Sequence, residues 1–367
     1  MAPLRFTADS LHRLLDRFPL SAPGAVLIAL VSFARARSRI GPSLRLQDHL
    51  RAHRYLRLLL GFVALKTLNR ALVRLVRNSG WRADPPVWGK DVVLIAGGAT
   101  GIGKEIVELL AKKTDKIAVL DLAPPAYAAS RVKHFTCDIT DPKAVAEAAK
   151  RVREEVGNPT ILINNAGILR GKTLLETSNE EHLLMYKVNV LGAHNVLREF
   201  LPYILSVNHG HIMTTASSAA YYSLPQLGAY CCSKAGALSL HETLVEELKY
   251  RYNASNVRTS VICPTKVDTN LGSALADTKN QFLTPTLTPK FLASEMVRII
   301  ESGLSDHLVL PLGPRLFLPS LRSAPEYYRW LLNKLEDTST TVTDARNATA
   351  TKGYTFLKQL DKQHGLE

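Results

Sequence analysis

The stretch Asp91–Gly103 restricts the fold more than any other part of the chain. An apolar run (DVVLIA, 91–96) leads straight into Gly97-Gly98-Ala99-Thr100-Gly101-Ile102-Gly103, and a helical pattern follows from Lys104 to Lys113. Strand, glycine turn and helix in that order make the first half of a βαβ unit. Gly97, Gly101 and Gly103, with Thr100 and Ile102 between them, permit a tight turn and a close approach of the backbone to a pyrophosphate. The helix behind offers free N–H groups and the positive end of its dipole to phosphate charge. A glycine turn carries weight in this context and little outside it.

The alternation then continues. Lys116–Leu122, Thr160–Asn164, His211–Thr215 and Asn256–Cys263 read as strands, and Pro142–Val156, Glu180–Leu201 and Tyr230–Tyr250 as helices. This predicts an α/β fold, a doubly wound parallel sheet with helices on both faces. Residues 271–290, rich in Thr, Pro and small side chains, read as a mobile loop, and the polar stretch after Asp337 as a loose tail.

The first 90 residues differ in kind. They hold 16 Lys+Arg against 4 Asp+Glu, so +12 of the net +14 sits there and the rest of the chain is nearly neutral. An arm of this sort meets nucleic acid or an anionic membrane surface. Gly24–Ala34 (GAVLIALVSFA) is too short for a spanning helix of ~20 residues and is followed by Arg35, Arg37 and Arg39, which favours a re-entrant or interfacial insertion. Tyr55–Val76 reads as a helix with Lys66, Arg70, Arg74 and Arg77 on one face and Leu65, Leu68, Leu72, Leu75 and Val76 on another. That is an interfacial pattern, although a helix packed on the main domain has it too. Leucine without interleaved aromatics argues against nucleic acid. Cys137, Cys231, Cys232 and Cys263 have neither zinc-type spacing nor a disulfide framework, and fit a reducing, cytosol-facing setting. Asn253 and Asn347 head glycosylation patterns that we expect to be unused.

Two constellations carry chemistry. Asp121 ends the second strand, where a carboxylate accepts the ribose hydroxyls of NAD and repels the 2′-phosphate of NADP; no basic residue stands at Thr100 or Leu122 to offset it. A solvated loop aspartate is the plain alternative. Tyr230 and Lys234, four apart, project from one helix face. A nearby ammonium favours the phenolate of a group that otherwise titrates near pH ~10, so Tyr230 would serve as general acid or base. Ser217, thirteen residues upstream, would hydrogen-bond the reacting oxygen; its neighbour Ser218 fits the spacing less well. Alone, a Tyr-x-x-x-Lys pair is usually structural.

Taken in order, these pieces resemble the short-chain dehydrogenase/reductase family over about residues 88–270, one Rossmann domain. The matching set adds Cys137-Asp138-Ile139, Asn164-Asn165-Ala166-Gly167, Asn189, and Pro264 with Val267 and Thr269. The resemblance implies that Asp138 and Ile139 meet the adenine, that Asn165, Ala166 and Gly167 line the nucleotide, and that Asn189 supports a proton relay through Lys234. It implies further that Lys234 binds the nicotinamide ribose and that Pro264, Val267 and Thr269 embrace the carboxamide. Ala216-Ser217, Tyr-Cys-x-Ser-Lys and Cys263-Pro264-x-x-Val267-Asp268-Thr269, with the apolar N-terminal arm, are similar to the membrane-bound retinol and 17-beta-hydroxysteroid dehydrogenases. Three departures from the family stand out: Ala96 for a threonine, Ala220-Tyr221 for a frequent glycine, and Thr265 for a glycine after the proline.

The expectations are therefore an arm over 1–86 at an endoplasmic-reticulum or lipid-droplet surface, a Rossmann domain over 87–336 facing the cytosol, and a tail over 337–367. The reaction is hydride transfer between NAD, with NADP as the alternative cofactor, and an alcohol or carbonyl on a lipophilic substrate. No nucleic acid and no metal are expected, and a homodimer is left open. An NADP-dependent ketolipid reductase and an idle nucleotide- and membrane-binding scaffold are the rival readings. The loops 218–229 and 271–290 and the segment 311–335, with Leu316, Leu318, Leu321, Tyr327, Tyr328, Trp330 and Leu331, are expected to shape the pocket, a membrane face or a subunit contact.

Overall fold

The computed structural model describes residues 7–125, 127, 131–315, 317–336 and 342. Leu316, the Asn347 pattern and the tail beyond Glu336, Val342 apart, lie outside the described residues. The chain divides into two compact units, Met1–Trp81 and Arg82–Glu367.

The first unit is helical: α1 (Ala8–Arg17), α2 (Ala22–Ile40), α3 (Leu46–Ala52) and α4 (Arg54–Arg77). Thr7 and Ser10 close a capping box on α1, and Ser21 caps α2 through Gly24 N–H. The apolar run thus belongs to a helix longer than its own length, because the arginines at 35, 37 and 39 continue the same spiral. Among the described residues no single helix is long and apolar enough to cross a membrane; α1 and α2 together, bent by 62°, would be by length and composition. Among the described residues of the first unit, only Ala25 and Ala29 of α2 and Leu56 and Val63 of α4 are buried apolar residues, while Val26, Leu27, Leu30, Leu58, Phe62, Leu65, Leu68 and Leu72 are exposed. The basic face of α4 differs from its expected form: Lys66 and Arg70 both bind the Asp16 carboxylate of α1, so part of that charge is neutralised inside the unit.

The second unit holds β1 (Val92–Ala96), α5 (Gly101–Leu110), β2 (Ile117–Asp121), β3 (Val132–Thr136), α6 (Pro142–Glu155), β4 (Pro159–Asn164), α7 (Asn179–Tyr186), a π-helical turn (Lys187–Gly192) and α8 (Ala193–Val207). There follow β5 (His211–Thr215), α9 (Gly228–Tyr250), β6 (Arg258–Pro264), α10 (Pro289–Ser302), β7 (Asp306–Leu310), α11 (Leu312–Arg315) and α12 (Glu326–Glu336). All seven strands are parallel in the order β3-β2-β1-β4-β5-β6-β7. Strand alternation sends Val93 and Ile95 to one face, against Ile106 and Leu110 of α5 and Met296 and Ile300 of α10. Leu94 and Ala96 go to the other, against Val145 and Val152 of α6 and Val196 and Phe200 of α8. With both faces covered, the central strands are buried along their whole length, which is why they read as unbroken apolar runs.

The strand order reverses between β1 and β4, and the crevice beyond their carboxyl ends is where a doubly wound sheet takes its ligand. At the opposite end, residues 82–91 are strapped to the sheet. The Asp84 N–H donates to Gly303 O at 2.9 Å, and His209 is bonded to Asp84 at 2.7 Å and Asp91 at 3.0 Å.

Candidate active site

One cavity of about 550 Å³ opens over the carboxyl ends of the strands. Apart from Gly103 and Asn189, it is lined by all the candidate catalytic and cofactor-binding residues: Gly97, Thr100, Gly101, Ile102, Asp121, Asp138, Ile139, Asn165, Ala166, Gly167, Ser217, Tyr230, Lys234, Pro264, Val267 and Thr269. Gly103 stands behind the turn, where a Cβ would fall 2.0 Å from the Gly97 carbonyl oxygen; only a glycine lets the helix start this close to the strand. Gly97 itself has φ +78° and passes against Ala166.

The turn is fixed from the far side of the switch point. Asn165 Nδ2 donates to Gly97 O at 2.8 Å, and its Oδ1 accepts from Thr215 Oγ1 at 3.1 Å, so one amide side chain ties the ends of β1 and β5. Thr100 begins α5 without capping it through its hydroxyl, and the first turn carries no acidic side chain. Its amides are therefore aimed at the cavity. The Asp121 oxygens accept from Ala99 N at 2.9 Å and Ala123 N at 3.0 Å. Burial pushes this carboxyl above its usual range, and those two N–H groups pull it back part of the way. Asp138 is held by Thr140 N at 2.8 Å, beside the buried Ile139.

The second half of the cavity gathers the hydroxyls and the lysine. Tyr230 and Lys234 lie in the first turns of α9, and the Lys234 ammonium sits 5.9 Å from the Tyr230 ring centroid and donates to Thr215 O at 3.0 Å. Burial lowers its pKa to about 8, and the nearby Cys263 works weakly the other way. Asn189 does not line the cavity; it lies behind it, in the π-helical turn. Its Oδ1 accepts from Ile168 N at 2.8 Å, and its Nδ2 donates to Ile168 O at 3.0 Å and Ser233 Oγ at 2.8 Å. The helix expected over 180–201 is thus broken at 187–192, a wider turn of the kind that gathers at functional sites. Ser217 is buried in extended conformation, its Oγ accepting from Ala219 N at 3.2 Å and directed to Pro264 O at 3.4 Å.

A nicotinamide dinucleotide fits this set of groups. Uncapped first-turn amides match a pyrophosphate, Asp121 and Asp138 both line the cavity and would meet the adenosine part, and the Thr265 hydroxyl, buried without a protein partner, lies beside Pro264. The far end of the cavity is apolar, closed by Tyr222 and Leu224 of the loop 218–229 and by Phe317, Leu318 and Leu332 of the segment 311–335, both expected to shape the pocket; Lys266 was not singled out from the sequence. No periodic signal marks side chains brought in by loops. Leu321 belongs to the core, whereas Tyr327, Tyr328, Trp330 and Leu331 of α12 face outward.

Residues 91–280 match the family model of the short chain dehydrogenases. The chain belongs to the short-chain dehydrogenase family. This dehydrogenase is 39% identical over 203 residues to Dehydrogenase RED2 of Cochliobolus heterostrophus, a match covering 54% of this chain and 77% of that one. It is 31% identical over 239 residues to estradiol 17-beta-dehydrogenase 11 of Pongo abelii, covering 63% and 75%. Among solved structures, the ligand-free aldohexose dehydrogenase of Thermoplasma acidophilum superposes with a TM-score of 0.54 at 23% identity, over 62% of this chain and 95% of that one, a likeness of fold. The dehydrogenase is accordingly an NAD(P)-dependent oxidoreductase of alcohol and keto groups.

Proposed function

We propose that the protein moves hydride between NAD(H) and a secondary alcohol or ketone on a lipophilic molecule, working from a membrane or lipid-droplet surface with its second unit in the cytosol. The observation that carries the reading is the convergence of Tyr230, Lys234 and Ser217 on one cavity whose far end is apolar. The bound nicotinamide supplies the carbon that takes or gives hydride. Tyr230 Oη accepts the hydroxyl proton in oxidation and returns it in reduction. Lys234, held by Thr215 O, keeps positive charge beside the phenol and favours its ionised form. Ser217, whose bond to Pro264 O is long, turns its hydroxyl to the substrate oxygen as charge develops there. Asn189 holds the Ile168 backbone and, through Ser233, the turn of α9 that carries Tyr230. Asp121 supports NAD over NADP, because a fixed carboxylate at the end of β2 repels a 2′-phosphate.

The surface reading rests on the first unit. Its apolar side chains on α2 and α4 are exposed in rows, next to Arg35, Arg37 and Arg39, a combination that binds apolar interiors and anionic headgroups together. The test is turnover of NAD and NADP with retinol, hydroxysteroids and long-chain secondary alcohols in detergent micelles, alongside flotation of the full chain and of residues 82–367 with anionic vesicles. NAD-linked turnover and flotation of the full chain alone are expected. NADP-only turnover, or equal flotation of the two proteins, contradicts the reading.

A further inference from the structure

Lys266 follows β6 by two residues and sits at the neck of the loop that closes the cavity. Its carbonyl accepts from Leu287 N at 2.9 Å, and Asp268 N donates to Leu287 O at 2.8 Å, so the chain between them is pinned into a closed loop. The Lys266 side chain turns into that loop and is only 13% exposed. It donates to Leu275 O at 2.8 Å and to Asp277 Oδ1 at 2.7 Å, and the same Asp277 oxygen accepts from Thr286 Oγ1 at 3.0 Å. One ammonium thereby joins the neck, the middle and the far limb of the loop.

The loop is also tied through the bridge between Leu275 and Val342. Its described structure is one short 3-10 turn, Gly272–Ala274, and single bridges at Val267–Leu287 and Leu275–Val342, with local hydrogen bonds among Thr278, Asn280, Gln281 and Thr284. Ala274 and Leu287 are buried and Leu271 and Leu275 pack against the core, and the polar ties of Lys266 act beside these contacts to fix the path of the chain between them. Leu275 and Asp277 line the cavity, and Thr269, at the neck, approaches Gly101 closely enough that a Cβ there would lie 3.5 Å from its methyl group. The wall that Lys266 holds is the wall that covers the start of α5.

We propose that Lys266 is a positioning residue that holds residues 271–284 in their nucleotide-retaining arrangement and so sets the affinity for the nicotinamide nucleotide. The inference rests on the reading of the cavity as a nucleotide site. Lys266 touches the loop and takes no part in proton or hydride transfer. Of its two partners, the Leu275 carbonyl is the weightier, since the Asp277 side chain is 71% exposed and its attraction is screened by water.

The experiment uses the full chain and two readouts that need no turnover: fluorescence titration with NADH, and the rate of chymotrypsin cleavage after Phe282, which is 42% exposed. Lys266→Met keeps the aliphatic stem and removes the ties. It should weaken NADH binding about tenfold, the loss expected for charge-assisted hydrogen bonds, and speed cleavage in the loop. Asp277→Asn, a change at an exposed side chain that leaves folding unaffected, should weaken binding less. Lys266→Met/Asp277→Asn should be no weaker than Lys266→Met alone, and Lys266→Arg should recover most of the affinity. Unchanged NADH affinity in Lys266→Met, unchanged cleavage, or additive losses in the double variant would overturn the proposal. Absence of NADH and NADPH binding by the unaltered protein would instead overturn the nucleotide reading, and the cleavage rates without nucleotide would still report on the tie itself.

Discussion

The Lys234 ammonium donates to the carbonyl oxygen of Thr215 at 3.0 Å, joining the first turns of α9 to the end of β5. The nitrogen packs close to Gly167: a Cβ there would lie 3.3 Å from Lys234 Nζ and 3.2 Å from Asn189 Oδ1, tighter than ordinary contact. Gly167→Ala should therefore displace the lysine and lower kcat by about ten- to a hundredfold, with the thermal midpoint little changed. Steady-state kinetics with a matched melting curve checks this, and full activity would mean that the lysine position is not critical.

Asp121 gives a prediction about cofactor choice. Its oxygens are fixed by Ala99 and Ala123 N–H, so it cannot swing away from a 2′-phosphate. Asp121→Ala should narrow the proposed preference for NADH over NADPH by about tenfold or more, measured as paired dissociation constants. The two amides freed by the change add attraction for the phosphate.

His209 governs a pH dependence at the other end of the sheet. Burial works to lower its pKa, but the bonds to Asp84 and Asp91 outweigh that, and the net displacement is upward. Arg258, which donates to the Arg82 carbonyl, is the other cation facing this strap. A raised folded-state value means that the stabilisation is complete below the unfolded histidine pKa of about 6.5 and is lost as pH rises through the higher folded value. The melting temperature of the protein should exceed that of His209→Gln at about pH 6 and approach it at about pH 9. A difference independent of pH would contradict the assignment.

How far these features could be read in advance depends on how local their signals are. β1, β4 and β5 are buried on both faces and read as continuous apolar runs, so their limits were legible within a residue. β3 (VKHFT) is an edge strand with one fully buried side chain, Phe135, and gives no such run. β7 and α10 were missed for a related reason. Only the last three residues of β7 are buried, and α10 follows a Thr/Pro-rich stretch that masks its start at Pro289. The glycine turn, Asp121 and the Tyr230/Lys234 pair could be singled out because the chemistry proposed for them lies in short spacings. The π-helical turn that presents Asn189, and the reach of Lys266 to Leu275 and Asp277, depend on tertiary placement that no spacing encodes.

The most direct test of the proposed chemistry is turnover by Tyr230→Phe, compared with its NADH affinity. Removing one hydroxyl from a buried ring leaves the packing of α9 in place, so NADH should bind within about threefold of the unaltered protein. Turnover of any alcohol that the unaltered protein oxidises should fall by about a hundred- to ten-thousandfold, the share that a positioned acid–base group contributes. Retained turnover in Tyr230→Phe would contradict the account, because the proton would then be taken by another group.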